Sequence, residues 1–346
     1  MRPLGHALAG AVASAALVAF GCGADESRPP VVPPVTMRPV ARPEPVREPV
    51  DASVGVATHE DAAPKPALPE PMFGATEPVR PGDPHAFRLA ASLRSMRATR
   101  SGGKILKLLS VVPEVIDARA KTGVDPFADG EWLLVYGSTV RIPGANANVV
   151  KHLRSEAELT RANLDAGLEA SDAGPGAVRA EIYGVRDVLL RPQAGWLALV
   201  PADRAADLGT ALSKAIDPGT KPGELARIFL AEPAKVVRFL PGDVVRAAVI
   251  VKPATDGGLD LSAEADCPDA ASCKASATML DELARKQNSL IVRIVMRNLL
   301  GNLTLRADGT KLKASLHAAP DQVDALLNLT RAQLGLPGED PSDALH

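Results

Sequence analysis

The chain predicts an α+β head with a largely antiparallel sheet and helices on one face. Three observations lead there. Apolar runs of strand length are interspersed with stretches at helical spacing. Hairpin turns, rather than helices alone, join the strand runs. A sequence of strand, Gly turn, strand and Pro-Asp helix start occurs twice, at 189–203 and 303–321. In the second copy, Asp308-Gly309 is a strong hairpin signal. Each hairpin runs into a helix with an apolar face, Leu208 and Leu212 in one, Val323, Leu326, Leu327 and Leu334 in the other. The simplest reading is a tandem repeat of a strand-helix-hairpin-helix unit related to the ferredoxin-like pattern; shared hairpin-helix grammar without duplication is the rival.

In chain order, a first unit is expected over 85–222, a second over 223–336 and a frayed tail over 337–346. Phe87 to Arg100 reads as a lead-in helix. Ile105, Leu108, Leu109, Val112, Val115 and Ile116 fall at helical spacing, with Pro113 as a kink and Gly123 as the stop. Trp132 to Tyr136 is an apolar run between Gly130 and Gly137, a buried strand. Asn146 caps a helix through about Leu164 that buries Val149, Val150 and Leu153, and a loop follows at Ala173 to Gly176. Gly223 to Leu240 reads as one or two helices broken near Pro233. Val244 to Val251 pairs with Leu259 to Ala265 across Asp256-Gly257-Gly258, and Pro268 to Lys286 and Leu290 to Leu300 read as helices.

The composition bounds the function. The chain has 346 residues, 46% of them hydrophobic, enough for a sizeable core. A net charge of -2 gives no bulk attraction to nucleic acid or to anionic lipid. Aromatic residues make up 3%, with two Trp and two Tyr, which leaves little material for stacking sugars or bases. No nucleic-acid partner is expected.

Ahead of the head the chain changes character. Prolines recur every few residues from Arg28 to Pro84, a density that no helix or central strand survives. This segment is expected to be a semi-rigid, polyproline-II-like tether, reaching on the order of 150 Å at about 3.1 Å per residue. Before it, Arg2 and His6 open a short basic region, and Ala7 to Phe20 is a 14-residue run without charge. That is too short to span a bilayer and has the form of an export signal. It ends in Ala19-Phe20-Gly21-Cys22. This run resembles the lipobox of bacterial lipoproteins, although Ala19 stands where Leu is usual; Ala19-x-Gly21 also suits an ordinary signal peptidase cutting at the same bond. The resemblance implies a signal peptide over 1–21, diacylglycerol and fatty acyl chains on Cys22, attachment to the membrane through that lipid, and, with Gly23 after the cysteine, transfer to the outer membrane.

The other two cysteines, Cys267 and Cys273, form an even pair in an exported chain and read as a disulfide pinning a helix start, with a redox-active pair and a free pair as alternatives. No HExxH, P-loop, G-x-S-x-G or G-x-G-x-x-G motif occurs, so no cofactor or catalytic constellation is expected. Asp125, Asp129 and Glu131 could in principle hold a hard cation, but calcium takes about six or more oxygens and the turn chemistry explains these residues equally well. His152 with Glu156 reads as a surface pair on a helix, and Asp260, Ser262 and Glu264 as the solvated face of a strand. The resulting expectation is an envelope lipoprotein with a non-enzymatic binding or structural head and an unidentified protein or small-molecule partner. A small-molecule or metal-binding head, or an enzyme with a dispersed site, is the alternative.

Overall fold

Two strands that read as helix in the sequence form the middle of the sheet. In Arg88–Ser92 and Ala226–Ile228 every residue is buried, so neither segment shows the in-out alternation that marks a half-exposed strand. In the computed structural model they are β1 (Phe87–Ser92) and β8 (Ala226–Leu230), antiparallel neighbours with Leu89 opposite Ile228. The structure describes residues 87–137, 147–182, 184–214, 220–230, 244–287 and 297–336, with 216 and 233 as single positions between them.

From this centre the sheet grows outward twice in the same way. The first half adds β2 (Gly130–Gly137), β3 (Ala147–His152), β4 (Glu169–Ala170), β5 (Val178–Ile182), β6 (Val185–Leu190) and β7 (Trp196–Pro201). The second adds β9 (Arg246–Pro253), β10 (Leu259–Asp266), β11 (Thr304–Asp308) and β12 (Lys311–Ala318). The described strands form one 12-stranded sheet in the order β11-β12-β10-β9-β8-β1-β2-β3-β7-β6-β5-β4, with every pairing antiparallel. Reading out from β1 gives β2, β3, β7, β6, and reading out from β8 gives β9, β10, β12, β11. Each half therefore contains strand, helix and hairpin with the second hairpin strand inserted beside the first strand, a split βαβ layer. The place next to β3 or β10 that a ferredoxin-like unit fills from its C-terminal end is taken by β2 or β9.

The helices are α1 (Leu93–Arg97), α2 (Arg100–Ser110), α3 (Pro113–Thr122), α4 (Pro126–Asp129), α5 (Glu156–Asp165), α6 (Ala205–Lys214), α7 (Ala270–Gln287) and α8 (Pro320–Gln333). One sheet face, carrying Leu89, Leu133, Val150, Ile228, Val249 and Leu316, packs with Leu93, Leu106, Val115 and Leu326 from α1, α2, α3 and α8. Adjacent strand residues point to opposite faces. Ala90, Leu134, Tyr136 and Val149 accordingly form a second core, closed by Leu208 and Leu212 of α6. The α+β class and antiparallel sheet thus stand as the sequence reads them, while α6 departs from its fellows and covers the opposite face of the first half.

Several boundaries move. Pro113 does not kink one helix: Val111 and Val112 separate α2 from α3, and Pro113 stands at the start of α3, where its missing N–H costs nothing. Gly123 ends α3 in the left-handed region at φ 71°, as its place in the sequence suggests. The helix expected from Asn146 to Leu164 is instead β3 followed by α5, with Leu153 exposed between them. Val149 and Val150 are both buried because each faces a different core. The helix start lies at Ser155, whose hydroxyl accepts from the Glu158 N–H while the Glu158 carboxylate accepts from the Ser155 N–H. Asn146, most of 231–243, most of the expected helix over 290–300 and the tail over 337–346 lie outside the described residues, as do the expected signal segment, Cys22 and the expected tether; Leu299–Asn302 is a 3-10 turn.

Cys267 and Cys273 are joined in a disulfide with their Cα atoms 5.4 Å apart. Cys273 lies in the first turn of α7 and is buried with Val244, Leu280 and Leu312, so the bridge is part of the packing between α7 and the sheet.

Candidate functional site: an apolar cavity under helix α3

Helical spacing places Val115, Ala118 and Thr122 on one face of α3. The Gly123 turn then carries Val124 and, on α4, Pro126 and Phe127 back toward the sheet. Opposite them, antiparallel register puts Leu133 beside Val150, Val150 beside Leu197, Asn148 beside Leu199 and Leu199 beside Leu189, so side chains of four strands share one face. Between helix and sheet is a partly open cavity of ≈ 70 Å³. Of its 12 lining residues only Thr122 and Asn148 are polar.

Those two differ in a way that matters. The Thr122 hydroxyl donates to the Ala118 carbonyl at 2.7 Å and accepts from the Val124 N–H at 3.3 Å, so it serves the end of its own helix. The Asn148 Oδ1 is buried without a hydrogen-bond partner. A buried acceptor left unpaired is destabilising by about 1–3 kcal/mol. Asp187 stands two residues from Leu189 on the same face of β6, and burial pushes its carboxyl up to about 7.

The residues singled out from the sequence lie elsewhere and do not converge. Asp125 caps α4 by accepting from the Phe127 and Ala128 N–H groups at 2.9 and 3.1 Å, and pairs with Arg119. Burial raises its carboxyl, and the Ala128 N–H and the Arg119 guanidinium outweigh that and hold it below the usual range. Asp129 accepts from the Asp125 N–H and pairs with Arg154 at 2.7 Å, while Glu131 pairs with Lys151 at 2.7 Å. Three carboxylates so engaged do not form a cation site, and no cluster of metal-binding side chains occurs among the described residues.

His152 is a strand residue rather than a helical one, and it is buried, not on the surface. Its Nε2 lies 3.8 Å from the Glu156 carboxylate, too long for a hydrogen bond, and that carboxylate accepts from the Gly195 N–H at 3.1 Å and lies 3.6 Å from Arg191. Burial lowers the His152 pKa, assisted by Arg191 and Arg154 and opposed by the Arg154 backbone and Glu156.

Asp260, Ser262 and Glu264 share the open face of β10, as their alternation implies. Across the register Asp266 faces Arg246 and Lys311, Glu264 faces Lys313, and Asp260 faces Lys252 and His317. Two ion pairs follow that register, Arg246 with Asp266 and Lys311 with Asp266 at 2.6 Å, and Lys311 also reaches Glu264 diagonally at 2.9 Å. His317 holds Asp260 at 2.8 Å through Nδ1 and Asp256 at 3.1 Å through Nε2, and these carboxylates raise its pKa. Strands of alternating charge satisfy one another laterally, which makes this a self-paired, solvated face.

Sequence reading did not find the cavity. Its lining comes from residues between 115 and 199 that carry no motif, and Asn148 falls in a stretch whose sequence reads as helix. No family model matches the chain, and no curated protein matches it. Among solved structures it is similar to one described as "Structure of crystal form I of TP0453", at 9% identity and a TM-score of 0.40, covering 72% of this chain and 98% of that one. At that score the likeness carries no argument about function.

Proposed function

We propose that the protein is an exported, lipid-anchored protein of the cell envelope whose head acts by non-covalent binding rather than catalysis. The observation that carries the binding part is the contrast within the head: the carboxylates and histidines singled out from the sequence are engaged in caps, ion pairs or burial, whereas the cavity under α3 is lined almost wholly by apolar side chains. Acid-base chemistry needs titrating groups aimed into a shared space, and this lining offers none. The anchor part rests on the export signal, on Cys22 in its lipobox-like setting and on the proline-rich stretch that would hold the head away from the membrane. Among the described residues no helix is long and apolar enough to cross a membrane, so in this reading attachment goes through the acyl chains.

Metabolic labelling with radioactive palmitate tests the anchor. Wild-type chain should take up label into the membrane fraction, and Cys22→Ala should not. Equal uptake by the two would refute it.

A further inference from the structure

We infer that the cavity under α3 holds a slim, neutral, apolar molecule that carries one hydrogen-bond donor, received by the Asn148 Oδ1; this builds on the binding role proposed for the head. Access, lining and the one unmatched atom of that lining lead to that ligand class. The cavity is only partly enclosed and continues to the surface, so a ligand has a way in and a slim one can extend through the mouth. Its ten apolar lining residues, from Val115 on α3 to Leu199 on β7, offer nothing to a charged group, which would lose its water without gaining a partner. The ligand is therefore neutral.

Ordered water is a poor occupant. A buried water needs about two to four polar partners, and the lining supplies only two polar residues. Thr122 already spends its hydroxyl on Ala118 and Val124. That leaves the Asn148 Oδ1, buried and unpaired on β3 among Leu133, Val150, Leu197 and Leu199. A hydroxyl or N–H at one end of a hydrocarbon would satisfy this oxygen while the rest of the molecule fills the apolar space.

The test uses the full chain with 1-decanol, its isomer methyl nonyl ether and decanoate as probes, with binding followed by calorimetry and by the shift in melting temperature. Decanol should bind saturably and about tenfold more tightly than the ether, which occupies the same space but donates nothing, and decanoate should bind more weakly than decanol. Ala118→Phe, which fills the cavity from α3, should abolish binding of both neutral probes; Val124→Phe serves the same purpose from the loop should the first variant not fold. Asn148→Leu should retain binding but make decanol and ether equal. Failure of the wild type to bind either neutral probe overturns the inference. So does undiminished binding by a folded filling variant, a preference for decanoate, or a decanol preference that survives Asn148→Leu. The two proposals fail separately. A chain that binds decanol but takes up no acyl label loses the anchor and keeps the site, and a labelled chain that binds neither neutral probe loses the site and keeps the anchor.

Discussion

Replacing Glu224 by Leu would take from the buried Arg227 guanidinium the carboxylate that meets it at both Nε and Nη2. Glu224 and Arg227 are only 3% and 5% exposed, where β8 pairs with β1. One Glu224 oxygen accepts from Arg227 Nε at 3.0 Å and from the Lys221 N–H at 2.9 Å, and the other accepts from Arg227 Nη2. Burial alone would raise this carboxyl; the Arg227 guanidinium and the Lys221 N–H reverse that and hold it below the usual range. The two partners are not equivalent. A stranded Glu224 can take up a proton, whereas Arg227 cannot lose one. Glu224→Leu should therefore cost about 3–5 kcal/mol, a large share of a typical stability of about 5–15 kcal/mol, and at any pH where the protein folds. Arg227→Met should be costly at pH 7 and milder near pH 4, where the stranded carboxyl is protonated. The double variant Glu224→Leu/Arg227→Met removes both charges and should return to within about 1 kcal/mol of wild type. Urea unfolding followed by circular dichroism, with an unchanged slope, measures all three. If Glu224→Leu costs less than about 1 kcal/mol, or the double variant costs the sum of the singles, the pair does not hold the centre of the sheet in the way described.

Three further outcomes are expected. Asp187 has its pKa raised to about 7 by burial, so its native state holds a proton that the unfolded state releases near pH 4; stability should fall as pH rises between these values, and Asp187→Asn should remove that slope in urea unfolding run from pH 4 to 8. Cys273→Ala opens the short loop closed by the disulfide and should lower stability by about 2 kcal/mol, read as a shift in the urea midpoint under oxidising conditions. Gly123→Ala should cost more than Gly309→Ala in the same assay: both glycines have positive φ, at 71° and 59°, worth about 1–2 kcal/mol each, but a Cβ at 123 would also meet the Ala162 carbonyl at 2.8 Å while one at 309 meets nothing.

What was legible in the sequence was local. Hairpins around Gly195, Gly257 and Gly309, the stop at Gly123 and the helices after β7 and β12 follow from turn residues, caps and apolar spacing within a few positions, and they have the places the sequence assigns them. The elements misread were β1, β3 and β8. In each, neighbouring residues are buried against different cores, so the pattern of exposure that distinguishes a strand from a helix is missing, and Ala, Leu and Arg in β1 favour the wrong answer. Ser155 and Glu158 did mark the true start of α5, three residues beyond the end of β3. The cavity was not legible in the same sense. Its walls come from α3, the loop into α4 and four strands, and nothing near Asn148 in the chain shows that its Oδ1 lies under Val115 and Ala118.

The sequence by itself determined the local grammar of the chain: an uncharged run before Cys22, a stretch dense in proline, and after it helices and hairpins in a pattern that occurs twice. Those properties depend on composition and on contacts between near neighbours. Tertiary structure alone decided that β1 and β8 join the two halves in one sheet, that α6 crosses to the face its fellows leave open, and that α3 stands off four strands to leave an apolar space. Each of these is settled by burial against residues tens to hundreds of positions away, and pairings at that distance leave no periodic trace in the chain that makes them.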